Sequence, residues 1–484
     1  MTKPIMLINI DSLMTEPLKM AVQTGRAPAL KFLMEQGHFI ENMVSSFPTM
    51  SVTIDSTLLT GTYTDQHRVP ALNWFDVENQ MMVNYGTGLR ETMTVGFSKS
   101  VRQMFERLNI DDLSPNVSTI FEDLALHGLD SGVINSFVYR GNKEQRLELP
   151  RVLKMMTKLD QTFLFKTPTY FSLGAFSSIR KQSIAPFMIG GNRKLAGREL
   201  RALIKHHQIP AFTFCIFQDM DIRVHNLGPF DLKGIQRIDQ ELDKTLKMFG
   251  SYEEAINQCT WIVIGDNGQS ATGWNFNDVE INLRKVLKGY QIYNIKKNIK
   301  ASDELLLSVN QRMAYVYVLD DNIPLIDVAK KLQSDSRIDV IAWKEKGRNH
   351  IISGLNNGKL SFSPGKQYQD QYNQSWDIEG ELDLLNLKVE NQAISYNSFP
   401  DALARLHGAL HSHKGRFLIV NAKPGCEFLA QKTPIHIGGA CHGSLHEQES
   451  LIPCIITGTD LQPEHNRLVD MKTYLLNQLI KQEE

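Results

Sequence analysis

The sequence predicts an α/β fold with a mainly parallel central sheet that is flanked by helices, together with a smaller inserted α+β subdomain. Two observations carry this prediction. Short, continuously apolar runs recur along the chain, which is typical of strands that are covered on both faces. Amphipathic helical stretches separate these runs, and such an alternation of strand and helix favours a parallel, helix-flanked sheet.

Six apolar runs are the predicted strands. They are IMLINID (5–11), SGVINSF (131–137), AFTFCIFQD (211–219), TWIVIGD (260–266), RFLIVNA (416–422) and IPCIITG (452–458). The clearest helix is predicted over 231–250, where apolar residues recur every three or four positions with charged residues between them.

Residues from about 300 to 415 follow a different pattern. The strand-like QRMAYVYVLD, the helical IPLIDVAKKLQSD and the strand-like RIDVIAWKE form a β-α-β unit, and a polar stretch rich in turn residues follows it. We therefore predict a main, catalytic domain of residues 1–300 plus 416–484 and an inserted α+β subdomain of residues 301–415.

The bulk composition narrows the class of protein. A chain of 484 residues is long enough for one large α/β domain with insertions, or for two to three smaller units. A formal net charge of -1 with 22% charged residues argues against a nucleic-acid polymer or a membrane surface as the partner.

A cytoplasmic location is predicted from the termini, the hydropathy and the cysteines. The first apolar run is too short for a secretory signal, and no stretch approaches the roughly 20 apolar residues of a membrane span. The five cysteines are odd in number, widely spaced and form no C-x-x-C motif, which suits a reducing compartment.

Several predicted strands end in a carboxylate. Asp11 ends the first run, Asp219 ends the third with Asp221 just beyond it, and Asp266 ends the fourth. In open α/β sheets ligands bind beyond the carboxyl ends of the strands. These acids are therefore expected to converge, although a helix N-cap is the simpler interpretation of each one alone.

The stretch SFPTMSVTIDSTLLTG (46–61) carries seven hydroxyl side chains in sixteen positions. Ser51 stands at the start of a predicted helix, where a serine is most often a cap. The functional alternative is a nucleophile beside a helix N-terminus, whose free N–H groups and positive dipole suit a phosphoryl oxygen.

Three further segments carry candidate metal ligands. Asp221 and His225 are one helical turn apart, so that a carboxylate and an imidazole can meet one cation. Glycine-flanked polar loops contain Asp266 with Asn267, and His442 with His446. A solvated Asp–His pair and two tight turns are the plain alternatives.

The order of these segments resembles the alkaline phosphatase superfamily, and within it the type I phosphodiesterase/nucleotide pyrophosphatase family. In that family a Thr or Ser nucleophile lies ten residues before the glycine of a T-G pair, and counting back from Gly61 reaches Ser51. The family pattern D-x-x-x-H-x-x-G matches DIRVHNLG, and its late H-G pair matches His442 and Gly443. The resemblance covers nearly the whole chain and implies an alkaline phosphatase-like fold.

The resemblance implies two divalent metal ions. It places one ion, expected to be zinc, at Asp221, His225 and His442. It places the other, expected to be zinc, manganese or magnesium, at a second set of residues: Asp11, Ser51, Asp266 and Asn267.

Asn267 stands where the family has a histidine. An amide oxygen is a weak, hard and neutral ligand, so the second site would be all oxygen and better suited to Mn²⁺ or Mg²⁺ than to Zn²⁺. The resemblance also implies an asparagine that steadies a phosphate oxygen, and Asn73 is the candidate. A turn or strand-start asparagine is the alternative interpretation.

The implied function is metal-dependent hydrolysis of a small phosphodiester or pyrophosphate, nucleotide-like, through a covalent phosphoseryl intermediate on Ser51. One alternative is another reaction of the superfamily, by a phosphomonoesterase, a phosphonate hydrolase or a sulfatase. A second is a nucleotide- or metal-binding protein with little turnover, because Asn267 replaces the histidine. A third is a structural protein whose strand-end acids are helix caps.

Overall fold

The computed structural model describes most of the chain, namely residues 3–86, 103–148, 162–174, 176–179, 192–295, 297, 299–430 and 433–480. The α-helices are α1 (Thr15–Gln23), α2 (Pro28–Glu35), α3 (Ser51–Thr60), α4 (Thr64–His67), α5 (Ile120–Leu126), α6 (Arg193–Lys205), α7 (Asp219–Leu227), α8 (Leu232–Leu246), α9 (Tyr252–Gln258), α10 (Phe276–Val279), α11 (Leu283–Val286), α12 (Leu325–Leu332), α13 (Ala402–Leu410), α14 (Glu447–Ser450) and α15 (Met471–Leu479). A π-helical segment covers Gln103–Asp112. None of the described helices is both long and apolar enough to cross a membrane.

The strands form two large sheets and several small pairs. In chain order they are β1 (Ile5–Ile10), β2 (Gly37–Val44), β3 (Asn73–Asp76), β4 (Met81–Asn84), β5 (Ser131–Ile134), β6 (Lys143–Glu148), β7 (Thr162–Thr167), β8 (Tyr170–Leu173), β9 (Phe176–Ser177), β10 (Phe212–Phe217), β11 (Thr260–Gly265), β12 (Ser270–Ala271), β13 (Glu280–Asn282), β14 (Leu305–Asn310), β15 (Met313–Val318), β16 (Ile338–Glu345), β17 (Arg348–Ile352), β18 (Leu360–Asp370), β19 (Ser375–Gly380), β20 (Leu387–Glu390), β21 (Ala393–Tyr396), β22 (Phe417–Ala422), β23 (Glu427–Leu429), β24 (Ala440–Cys441) and β25 (Leu451–Thr457).

The main sheet has the strand order β2-β25-β11-β1-β10-β5-β8-β9. The five strands from β11 to β8 run parallel to their neighbours, whereas β25 is antiparallel to both β11 and β2. This confirms the predicted mainly parallel sheet. The central strands β1, β10 and β11 are buried along their whole length, as continuous apolarity predicts.

Helices cover the main sheet on both faces. Met6, Ile8 and Ile10 of β1 belong to the apolar core that contains α1, α2 and α8. Ile5 and Leu7, which point to the opposite face, belong to the core that contains α3. The predicted helix over 231–250 is confirmed as α8, which an Asp231 side chain caps through the N–H of Gly234.

The second sheet has the order β14-β15-β22-β16-β17-β18-β21-β20, with β19 paired to β18. The predicted β-α-β unit is confirmed as β15, α12 and β16. The run 416–422 was expected in the main sheet, and that expectation is wrong: β22 lies between β15 and β16, antiparallel to both. An apolar run shows that a strand is covered on both faces and does not show which sheet it joins. The domain boundaries at 300/301 and 415/416 stay a prediction.

Candidate active site

A cavity of about 630 Å³ lies beyond the carboxyl ends of β1, β10 and β11. These three strands are adjacent and in register, because Ile10 pairs with Phe217 on one side and with Gly265 on the other. The chain therefore leaves all three strands at the same edge of the sheet. Six of the predicted site residues line the cavity: Asp11, Ser51, Asp221, His225, Asp266 and His442.

Ser51 is the first residue of α3 and faces the cavity. The helix ends at Gly61, whose φ of 66° is left-handed and whose N–H donates to the carbonyl of Thr57 at 2.8 Å. The neighbouring hydroxyls are committed elsewhere: Ser56 donates to the carbonyl of Val52 at 2.7 Å, and Thr60 donates to that of Ser56. Of the hydroxyl groups on α3, that of Ser51 is therefore the one that lines the cavity.

Asp221, His225 and His442 form a compact cluster, with one ligand atom of each within 4.8 Å of the others. The Asp221 Oδ1 lies 3.1 Å from Nε2 of His225 and 3.5 Å from Nε2 of His442. Asp221 and His225 are on α7, which confirms the predicted helical turn.

Backbone carbonyls fix the orientation of both imidazoles. Nδ1 of His225 lies 2.8 Å from the carbonyl oxygen of Ala440, and Nδ1 of His442 lies 2.5 Å from that of Thr49. Each Nδ1 therefore donates its proton to a backbone carbonyl, which leaves Nε2 as the nitrogen of each ring that lies beside Asp221 and can bind a metal ion when it is deprotonated. Two imidazole nitrogens and one carboxylate fit a divalent metal ion such as zinc.

The acids of the site are in strong mutual electrostatic contact. Burial, followed by the charges of Asp266 and Asp221, raises the pKa of Asp11 well above its ordinary value. Burial likewise raises the pKa of Asp266. Burial acts in the same direction on Asp221, but His225 and His442 outweigh it and hold its pKa well below the usual range. At Asp266 burial therefore outweighs the opposing charge of His442 and two backbone N–H groups, and the carboxylate forms of both Asp11 and Asp266 are destabilised without a bound cation.

A polar network connects Asp11, Asp266 and the first cluster. Ser12, at φ 62°, donates its backbone N–H to Oδ1 of Asp266 at 2.8 Å. Its hydroxyl lies 3.1 Å from Oδ1 of Asp221 and 3.0 Å from Oδ1 of Asn267. Oδ2 of Asp266 is buried without a hydrogen-bond partner among the described residues. This oxygen, with Asp11 and Ser51 on the same cavity, fits an oxygen-ligated second cation.

Asn267, Asn73 and His446 are not among the residues that line the cavity. The Asn267 amide oxygen accepts the Ser12 hydroxyl, so its role as a metal ligand stays a prediction. Asn73 is buried at the start of β3, where its N–H donates to Oδ1 of Asn310 at 2.9 Å, and its phosphate-binding role also stays a prediction. His446 is the N-cap of α14.

The cavity residues that the sequence reasoning missed include Asp55, Gln311 and His436. Asp55 follows Ser51 by one helical turn, so the spacing could have identified it. His436 stacks on His225 with ring centroids 4.2 Å apart, and its Nδ1 lies 3.0 Å from the buried carboxylate of Glu427. No motif in the sequence marks His436 or Gln311.

Asp55 makes the stability of the metal-free protein depend on pH. Burial, followed by the charge of Asp266, raises its pKa to about 8 from an ordinary value of 3.8. Between these values the folded protein holds a proton that the unfolded chain has lost, so stability falls as pH rises through this window. In urea unfolding with a chelator, Asp55→Asn is expected to lose less stability between pH 5 and pH 9 than the wild type. Equal losses in the two proteins would contradict the assignment.

Comparisons with known proteins agree with this geometry. The sequence model of the family described as "Type I phosphodiesterase / nucleotide pyrophosphatase" matches residues 5–351. A structure of murine ectonucleotide pyrophosphatase / phosphodiesterase 5 (ENPP5, NPP5) superposes with a TM-score of 0.60 at 13% identity, covering 99% of this chain and 95% of that chain. An inactive form of the murine protein in complex with AMP and the human protein each give 0.58 at 14% identity, with the same coverage. No curated protein matches the sequence significantly.

Proposed function

Because the chain belongs to the type I phosphodiesterase/nucleotide pyrophosphatase family, we propose that it hydrolyses a small phosphodiester or pyrophosphate through a phosphoseryl intermediate on Ser51. The family supports phosphodiester hydrolase activity that depends on two metal ions. The residue assignments, the covalent intermediate and the preference for a diester are our proposal.

The main support for the proposal is the acidic lining of the cavity. Four aspartates line it, and no lysine or arginine occurs among its described lining residues. The four lining aspartates are Asp11, Asp55, Asp221 and Asp266. Bound cations would stabilise these acids as carboxylates and would attract an anionic substrate to the cavity. Among the described lining residues no basic side chain matches a second phosphate charge, and we propose that the site prefers the monoanion of a diester to the dianion of a monoester.

The chemistry needs Ser51 as the nucleophile. When bound, divalent ions would act as Lewis acids that lower the pKa of the attacking hydroxyl and stabilise the departing oxygen. Ser51 loses its proton, its Oγ forms a bond to phosphorus, and the bond from phosphorus to the leaving oxygen breaks. Water then hydrolyses the phosphoseryl bond, so that one water is consumed and a monoester and an alcohol are released.

The wall of the cavity suits an ester substituent that carries an aromatic group. Leu72, Tyr85, Met104 and Phe137 line it together with Val52, which directly follows the nucleophile. Apolar and aromatic side chains of this kind bind the flat face of a base. The related murine protein has been solved in complex with AMP, and we propose a nucleotide-like substrate here.

The assay that tests the proposal compares kcat/KM on an aryl phosphodiester, a dinucleotide pyrophosphate, an aryl monophosphate and an aryl sulfate, with Zn²⁺, Mn²⁺ or Mg²⁺. We expect a preference of at least about tenfold for the diester or pyrophosphate over the monoester, about 1.4 kcal/mol in transition-state binding. A preference for the monoester or the sulfate would assign a different reaction of the superfamily. Nucleotide binding without turnover in any metal would favour the binding-protein alternative.

We propose zinc at Asp221, His225 and His442, and a weaker, exchangeable ion at the oxygen-rich site of Asp11, Ser51 and Asp266. Carboxylate and hydroxyl oxygens suit Mn²⁺ or Mg²⁺ better than they suit Zn²⁺. Metal analysis of freshly purified protein is expected to give about one zinc ion per chain. Two tightly held zinc ions per chain would contradict this assignment.

We also propose a cytoplasmic location. All five cysteines are buried free thiols. Burial raises the pKa of Cys215, Cys441 and Cys454. Unpaired thiols are typical of proteins in a reducing compartment.

A further inference from the structure

We propose that Gln311 is a substrate-binding residue whose side-chain amide donates a hydrogen bond to a phosphoryl oxygen of the bound ester. This inference rests on the proposed function and extends it, because Gln311 belongs to the second sheet. The second sheet would then contribute directly to catalysis rather than only cover the main domain.

Gln311 occupies the two-residue turn between β14 and β15 and lines the cavity. Its backbone has a φ of 56°, in the left-handed region that a tight turn of this kind uses. Its carbonyl oxygen accepts the N–H of Phe428 at 2.9 Å. The backbone of the residue is therefore held in one conformation.

The turn is fixed to the main domain on both sides of Gln311. The side chain of Asn310 accepts the N–H of Asn73 at 2.9 Å and donates to its carbonyl at 2.8 Å. The N–H of Arg312 donates to the carbonyl of His442 at 3.0 Å. The approach is so close that a Cβ on Gly443 would lie 2.4 Å from the carbonyl oxygen of Asn310. The turn cannot shift without displacing the His442 loop.

The side chain of Gln311 is oriented by one definite donor. Its Oε1 accepts the backbone N–H of His442 at 3.0 Å, so Nε2 is the end of the amide that faces the histidines. Nε2 lies 3.1 Å from Nε2 of His442 and 3.4 Å from Nε2 of His225. Its two N–H groups thus face the Nε2 atoms of the proposed zinc ligands, and a metal ion bound to those nitrogens would free both N–H groups for an oxygen of the ligand.

The composition of the cavity explains why such a donor is needed. Its described lining residues include no lysine or arginine, so among them only neutral groups can donate to a phosphoryl oxygen that the metal ions leave free. Gln218 also lines the cavity, but its Nε2 already donates to the carbonyl of Asn135 at 2.8 Å. Gln311 has its oxygen anchored and its nitrogen directed at the metal-ligand cluster. A preorganised donor of this kind costs little reorganisation when the substrate binds.

The test compares the metal-loaded wild type with Gln311→Ala and Gln311→Met, the second of which keeps the length of the side chain without a donor. Calorimetry measures the affinity for AMP, and elemental analysis measures the bound metal. Steady-state kinetics on an aryl phosphodiester give KM and kcat. Gln333→Ala is the matched control, because Gln333 lies in the same part of the chain and its Nε2 bonds the carbonyl of Ser353 at 3.0 Å.

We expect both Gln311 variants to bind AMP about tenfold more weakly, the loss typical of a hydrogen bond to a charged group. Metal content and the Gln333→Ala control should be unchanged. An AMP affinity within twofold of the wild type would overturn the inference, and so would a loss of metal that accounts for the weaker binding. If the wild type neither binds AMP nor turns over a diester, the proposed function fails and this inference fails with it.

Discussion

Ser51→Ala is expected to lower the turnover of an aryl phosphodiester by at least about 10³-fold, because it removes the atom that attacks phosphorus. The variant should fold normally, since the Ser51 side chain is only half-buried and faces the cavity. Steady-state kinetics with the thermal midpoint and the metal content of the same preparation separate a chemical defect from an unfolded or metal-poor protein.

Ser56→Ala is the matched control for this experiment. Ser56 is on the same helix but is buried, and its hydroxyl donates to the carbonyl of Val52. Its loss is expected to change stability slightly and to leave kcat within a few-fold of the wild type. A Ser51→Ala protein with the wild-type rate would show that another group attacks phosphorus.

Asp221→Ala is expected to lose the zinc of the Asp221, His225 and His442 cluster, and activity with it. The carboxylate is the one anionic ligand of the three, and its loss leaves two neutral imidazoles. Elemental analysis should show less metal per chain, and zinc titration should show a dissociation constant raised by at least about tenfold. High added metal is expected to restore part of the turnover.

Asp219→Ala provides the control on the same helix. Asp219 lies two residues earlier, but its carboxylate bonds Arg193 instead of facing the cavity. The control should keep its zinc. Activity of Asp221→Ala that high metal changes in neither direction would contradict the assigned site.

The sequence predicted the part of the fold in which strands that are buried on both faces are also neighbours in the main sheet. The apolar runs at 5–11, 211–219 and 260–266 became three adjacent parallel strands, so the convergence of Asp11, Asp221 and Asp266 follows from the topology rule alone. The run at 416–422 was assigned to the wrong sheet. Its residues are buried, which is compatible with either sheet, and hydrogen-bonding partners 75 to 108 residues away leave no mark in a local pattern.

The site was predictable only where spacing within one element places residues on one face. The four-residue interval brought Asp221 and His225 together on α7, and the same interval separates Ser51 from Asp55. Gln311 could not be found in this way. Its position depends on how the β14–β15 turn contacts a loop about 130 residues further along the chain, and no local pattern encodes that contact.

The position of β25 sets an order in which the molecule is assembled during synthesis. Within the described main sheet β2 pairs only with β25. Although β2 is translated early, it therefore has no partner strand until Leu451–Thr457 has been translated. The second sheet likewise lacks β22 until Phe417–Ala422 has been translated, and the proposed metal-ligand cluster lacks His442 until that residue has been added. Nascent chains released before these segments emerge carry unpaired strand edges, which are prone to aggregation. The metal ligands are therefore complete only after synthesis has passed His442.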